Sequence, residues 1–118
     1  MARIPLIKSR DILLVPFPFS DQSGAKVRPV VVLSNAKFND ESDDVIVMGI
    51  TSTFSRGPLT IELTNRELEE GNLRHVCYIK VENVLKLDKD LVIKKIGSIT
   101  RATYAKTIIL LNNLFEKP

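Results

Sequence analysis

Asp11-Ile-Leu-Leu-Val-Pro16 and, after a polar interval, Arg28-Pro-Val-Val-Val-Leu33 decide the fold. Each is a short apolar run bounded by charge or proline. Such length and such bounds read as buried strands rather than helices. The unbroken β-branched run Val30-Val31-Val32 reads as a strand covered on both faces. Pro29 has no N–H to give to a ladder, so it is expected at the strand's start. Between the two runs, residues 17–26 gather Pro18, Ser20, Asp21, Ser23 and Gly24 and read as a loop. Its aromatics, Phe17 and Phe19, either plug the core or form a ledge for a ligand.

Working outward, residues 45–52 form a third strand that ends in the hydroxyls Thr51 and Ser52. Residues 54–58, with Arg56 and Gly57, are a turn, and residues 59–63 alternate as a half-buried strand does. Residues 65–70 are expected as a short helix stopping at Gly71. Residues 76–81 alternate again, with Val76, Tyr78 and Lys80 on one face and Cys77, Ile79 and Val81 on the other. Residues 84–87 continue the sheet or start a turn, and residues 88–90 break it. A last strand spans 93–99, with Gly97 marking a bulge.

Residues 34–44 read as a polar loop. Its Asp40, Glu41, Asp43 and Asp44 are solvated charges in the plain reading and a Mg²⁺ site in the sharper one, which no other feature supports. At the other end, Tyr104, Ile108, Leu111 and Phe115 recur at helical spacing, and Thr100 is placed to cap that helix. The chain is therefore mainly β with a C-terminal α-helix, and its many short strands suggest a partly closed barrel.

The totals bound the possibilities. At 118 residues the chain reads as one domain, 1–118. A net charge of +3 and a pI near 9.1 tilt toward an anionic partner without requiring one. The single cysteine, Cys77, excludes an internal disulfide and permits a reducing compartment. The single histidine, His75, reads by default as an ordinary surface or core residue, and it excludes a two-histidine ribonuclease mechanism within one chain. Together Cys77 and His75 are too few for a zinc site. Residues 1–8 lack a signal-like apolar core, and no apolar run is long enough to span a bilayer, so a cytoplasmic protein without a membrane partner is expected.

G-x-S-x-G, P-loop, H-E-x-x-H and C-x-x-C patterns are all absent. What remains is a juxtaposition. Arg28 opens the second strand and Thr51 with Ser52 closes the third. If those strands are antiparallel neighbours, Arg28 and Thr51 share one edge of the sheet. An arginine fork matches phosphate oxygens and stays charged, so it can stabilise a five-coordinate phosphorane. By position alone the plainer reading is an Arg28 paired with Asp11 or Asp21, and a Thr51 that caps a strand end.

With these residues in view, the sequence resembles the MazF/PemK toxins. Asp11-Ile-Leu-Leu-Val-Pro-Phe-Pro-Phe-Ser-Asp21 and Gly24-Ala-Lys-Val-Arg-Pro29 are similar to the opening of that family. Ile50-Thr51-Ser52 resembles its second motif, and Leu85-x-Leu-Asp-Lys89 and Lys95-Ile-Gly-Ser-Ile99 follow its later landmarks in order. The resemblance implies an SH3-like, partly open β-barrel of the MazF/PemK/CcdB type. It implies a type II toxin–antitoxin toxin: a sequence-specific endoribonuclease that cuts single-stranded RNA by 2′-hydroxyl attack, without metal or cofactor. Its implied partners are RNA, a cognate antitoxin whose disordered tail occupies the RNA groove, and a second copy in a homodimer.

By the same resemblance Arg28 and Thr51 are the catalytic pair, with Ser52, Lys26, Phe17, Arg56 and Lys80 as substrate-binding residues. Arg101 is a further basic residue assigned to the groove, and Phe19 a further candidate for base stacking. Two positions depart from the family pattern. Arg10 stands where glycine usually precedes the first aspartate, as a phosphate contact or a tolerant turn. Cys77 stands where serine is usual, and would alter sequence choice if it lined the groove. Two other classes are compatible with the sequence: a non-catalytic SH3-like module that binds nucleic acid, gyrase or an antitoxin, and a degenerate toxin acting as a decoy.

Overall fold

The computed structural model describes residues 6–17 and 26–116. Seven strands form one antiparallel sheet: β1 (Asp11–Phe17), β2 (Lys26–Val32), β3 (Asp44–Thr51), β4 (Thr60–Leu63), β5 (Leu68–Gly71), β6 (Cys77–Asp88) and β7 (Lys94–Ile99). A short helix, α1 (Ala36–Glu41), precedes β3, and α2 (Arg101–Asn112) ends the chain. The strand order is β4-β6-β3-β2-β1-β7-β5, a curled half-barrel. No helix among the described residues is long and apolar enough to cross a membrane.

The continuous apolar runs of β1 and β2 arise because both faces of the sheet are buried. Ile12 and Val31 join Met48, Ile50, Ile61, Leu63, Ile79, Val81 and Ile99 on one face. Their chain neighbours Leu13, Val15, Val30 and Val32 join Val45, Val47 and Leu87 on the other. Successive side chains thus alternate between two apolar clusters rather than between core and water. Pro29 is not at the start of β2 but within it, opposite Leu14. Pairing with β3 stops at the next residue, Val30, so the missing N–H falls where β2 parts from β3. The loop expected at 17–26 is narrower than read, since Phe17 and Lys26 pair as strand residues. The residues between them, Phe19 and Asp21 included, lie outside the described residues.

β6 is one strand where the sequence suggested one with an uncertain continuation. It pairs with β3 from Asp44↔Asp88 to Thr51↔Tyr78, with a register shift between Met48 and Ile50. Its first half also carries β4, from Thr60↔Lys80 to Leu63↔Cys77. A shift of this kind bends a strand and increases its twist. Cys77, Ile79 and Val81 enter the first cluster, as the alternation predicted.

At the other end of the sheet, Gly97 lies beside the expected bulge, since β1 meets Gly97 and then Lys95. Gly97 also faces Gly71 of β5. A Cβ on Gly97 would lie 2.4 Å from the Glu70 carbonyl oxygen, and one on Gly71 would lie 2.3 Å from that of Ile96. The two strands approach this closely only because neither residue has a side chain. Arg10, where glycine was expected, keeps the glycine-like backbone with φ of 79°. Its guanidinium donates to Glu69 Oε1 at 2.9 Å and to the Ile99 carbonyl at 3.0 Å. The departure is a turn residue tied to β5 and β7.

Two polar segments differ from expectation. The loop at 34–44 contains α1, capped by the Asn35 side chain, which accepts from Phe38 N–H at 2.9 Å. Asn39 is fully buried and donates to the carbonyls of Ile7 and Ser34, both at 2.9 Å. The bond to Ile7, which no local pattern reveals, helps hold so short a helix in place. The helix expected at 65–70 shrinks to a 3₁₀ turn, Asn65–Glu67, closed by a Thr64–Glu67 capping box. Pairing with β7 takes the remainder as β5, although the chain still breaks at Gly71, with φ of 91°.

α2 is capped as expected, with the Thr100 hydroxyl accepting from Thr103 N–H at 3.2 Å. Its buried line, however, is Thr103 and Thr107, flanked by Tyr104, Leu110 and Leu111 against the first cluster. Thr107 is buried without penalty because its hydroxyl donates to the Thr103 carbonyl at 2.9 Å. Tyr104 donates to the Leu33 carbonyl at 2.7 Å and pins the helix to the end of β2. Phe115 lies past the helix and is 68% exposed, so the expected stripe packs at Tyr104 and Leu111 but does not extend to Phe115.

The carboxylates around β5 give the fold a defined pH response. The Thr64 hydroxyl and Thr64 N–H both bond Glu67 Oε1 at 2.7 Å and hold that carboxyl below its ordinary value. Lys95 and Ser98, each at 3.1 Å, do the same for Glu70. Burial pulls Lys95 down, but its bonds to Glu70 and Asp11 outweigh that and raise it. A depressed carboxylate stabilises the fold above its unfolded value and loses that contribution as pH falls through the folded one. A raised lysine contributes below its unfolded value and loses it as pH rises through the folded one. Stability should therefore decline as pH drops below the ordinary carboxylate value of 4.5. Urea titrations from neutral pH down to about pH 3 should show a shallower decline for Glu67→Gln. An identical slope would remove Glu67 from this account.

Candidate nucleic-acid interface

β2 and β3 pair through Val32↔Val47, Val31↔Met48 and Val30↔Gly49. Two residues further along each strand stand Arg28 and Thr51, so the register places them across from one another where pairing has stopped. Strand alternation puts both on the face of Val30, Val32, Val45 and Val47, at the open end of the second cluster. Both are half-buried. The Arg28 guanidinium makes no hydrogen bond or ion pair with another described residue. Asp11, its suggested partner, is instead buried with Lys95 Nζ at 3.3 Å and Lys8 N–H at 2.9 Å. Thr51 Oγ1 accepts from Thr53 N–H at 3.1 Å, the strand-end cap of the plainer reading, and its own proton is left to donate.

Across β3 from Arg28 lies β6, with Tyr78 opposite Thr51 and Lys80 further along the same face. Lys80 donates to Ser55 Oγ at 2.8 Å and lies 3.7 Å from Glu82. Ser55 and the Thr60 hydroxyl are 3.4 Å apart. These contacts bind the loop between β3 and β4 to the first half of β6. The Phe54 ring meets Tyr78 edge-on at 5.7 Å, and the Arg56 guanidinium lies 5.4 Å from the Phe54 centroid. One loop thus sets Phe54 against Tyr78, the residue opposite Thr51, with Arg56 beside that ring and Ser55 tied to Lys80. Ser52 is exposed in the turn leaving β3, and Lys26 lies two residues from Arg28 on the same strand face.

Arg101 and Cys77 are placed elsewhere. Arg101 opens α2, which packs on the first cluster, away from the Arg28–Thr51 face. Cys77 points into that same cluster, with Sγ 3.5 Å from the His75 carbonyl, and burial pushes its thiol up. It is not on the Arg28–Thr51 face. His75 is exposed in the loop before β6. The Phe17 backbone lies at the end of β1, opposite Lys26, and its side chain lies outside what the structure describes. Phe54 and Tyr78 were not singled out as ligand contacts from sequence. The available signal was an aromatic directly after the hydroxyl end of a strand.

The face combines a guanidinium without a partner among the described residues, a nearby hydroxyl, further cations and an exposed ring. Phosphate oxygens suit the first two and a nucleobase suits the last. Fold and face together define a small curled half-barrel with basic side chains gathered at one end of one face. Residues 8–115 match the PemK-like, MazF-like toxins of type II toxin–antitoxin systems, and the chain belongs to that family.

Solved structures share the fold. An endoribonuclease in complex with its cognate antitoxin, from a mycobacterial species, superposes with a TM-score of 0.74 at 19% identity, over 95% of this chain and 99% of that one. A second mycobacterial endoribonuclease gives 0.72 at 20% identity, over 98% of each chain. A MazE–MazF complex from Deinococcus radiodurans gives 0.75 at 18% identity, over 92% and 95%. No curated protein matches the sequence.

Proposed function

We propose that this chain is the toxin of a type II toxin–antitoxin pair and cleaves single-stranded RNA at short preferred sequences. The observation that carries this reading is the placement of Arg28, without a partner among the described residues, across from Thr51. Family membership and two similar folds that are endoribonucleases support it. The 2′-hydroxyl attacks the adjacent phosphorus, the P–O5′ bond breaks, and a 2′,3′-cyclic phosphate and a 5′-hydroxyl result. Arg28 grips the phosphate and stabilises the phosphorane, whose added negative charge a guanidinium fork meets on two oxygens. Thr51 donates to a phosphate oxygen or orients the 2′-hydroxyl. Lys26, Arg56 and Lys80 hold the flanking backbone, with Ser52 beside Thr51 and Phe17 as a further substrate-binding residue.

Since the 2′-oxygen is an internal nucleophile, no metal-bound water is required. A homodimer in the cytoplasm is the assembly this reading implies. An antitoxin tail competing with RNA for the same groove completes it. A long single-stranded RNA incubated in EDTA should yield fragments ending in 2′,3′-cyclic phosphate, identified by mass. RNA left intact in EDTA but cut with Mg²⁺, or fragments with 3′-hydroxyl ends, would sink the mechanism.

A further inference from the structure

Phe54 has a role that phosphate chemistry leaves unexplained. It is 64% exposed although it stands in a segment held at several points. Lys80 and Thr60 hold the adjacent Ser55, and Thr51 holds Thr53. The ring meets Tyr78 edge-on, with 79° between planes, so Tyr78 contacts it without stacking on it. Arg56 sits 5.4 Å from the ring centroid. A large apolar surface is thus fixed in water within three residues of Thr51, with a cation beside it.

We infer that Phe54 is a stacking ledge for an unpaired nucleobase next to the scissile phosphate, with Arg56 serving as its cationic clamp. This rests on the RNA reading above and deepens it. An aromatic ring and a guanidinium are the two side-chain surfaces on which splayed bases stack. Tyr78 sets the ring's angle from behind, and the Lys80–Ser55–Thr60 chain fixes the loop's height above the sheet. Every base has a π-face, so the ledge holds any base and grips purines, with their larger surface, more firmly. Hydrogen-bond readout of the sequence lies elsewhere in the groove.

The chain contains no tryptophan, so Phe54→Trp introduces a single indole at the ledge. Its emission should be quenched by a single-stranded DNA oligomer, which has bases but no 2′-hydroxyl to react. Inorganic polyphosphate, which has charge but no bases, should leave it unchanged. In cleavage assays Phe54→Ala should raise KM about ten-fold or more with kcat nearly retained, and Phe54→Trp should restore it. Equal quenching by polyphosphate, no quenching by DNA, or an unaltered KM in Phe54→Ala with active wild type would overturn the ledge alone. Base-dependent quenching in a protein that cuts no RNA would uphold the ledge and overturn the nuclease. A wild type that neither cuts RNA nor, as Phe54→Trp, senses bases would overturn both.

Discussion

Arg28→Ala is expected to slow RNA cleavage by about 10²–10³-fold, the loss seen when one preorganised donor to a developing anion is removed. The magnitude follows from what the guanidinium does not touch. Among the described residues it has no partner, and its planar fork of donors suits an incoming phosphate. Pairing with β3 ends at Val30↔Gly49, next to Pro29, and the same register carried two residues further sets Arg28 across from Thr51. For the same reason the substitution should leave thermal stability nearly unchanged. Arg28→Lys keeps the charge but loses the planar fork, and should recover only part of the rate. Single-turnover cleavage beside melting curves separates the effects. An unchanged rate in a folded Arg28→Ala protein would remove Arg28 from the chemistry. A slow rate in a protein that has also lost its fold would assign it to structure.

Gly97→Ala should produce the largest loss of stability from the smallest change in chemistry. Its Cβ would sit 2.4 Å from the Glu70 carbonyl oxygen and 3.3 Å from the Gly71 Cα. The obstructing atoms are backbone, so no rotamer change relieves them, and β5 must move away from β7. Crowding of this kind costs about 1–3 kcal/mol or more. Tm should then drop by roughly 5–10 °C, given a few degrees per kcal/mol for a domain of this size. Gly57 supplies the comparison. Its φ of +140° also favours glycine, but no atom lies within 4 Å of its would-be Cβ. Gly57→Ala therefore carries backbone strain alone, about 1–2 kcal/mol. Calorimetry showing Gly97→Ala to be the milder of the two would refute the close-approach explanation.

What could be read from sequence was whatever local pattern controls. The apolar runs of β1 and β2, the alternation that sends Cys77, Ile79 and Val81 inward, the Thr100 cap and the bulge beside Gly97 all depend on neighbours in the chain. What could not be read depends on distant contacts. α1 persists through the reach of Asn39 to Ile7. β5 exists because β7 pairs with it, overriding a helix start that its capping box does begin. The buried face of α2 is threonine, and hydropathy does not reveal that Thr103 accepts the bond that makes Thr107 safe to bury. In the candidate site, strand order and the family resemblance sufficed to bring Arg28 and Thr51 together. The role of Phe54 was hidden because a sequence does not state which side of an aromatic ring faces water.

The sheet ends in β4 and β5, each four residues long. Long, flat, apolar edges invite a foreign strand to add itself, and short or charged ones resist it. Here one margin carries Glu62, and the other carries Glu69 and Glu70 beside a glycine kink. Both margins are therefore poor templates for fibrous growth. At high concentration the backbone at neither margin readily seeds aggregates.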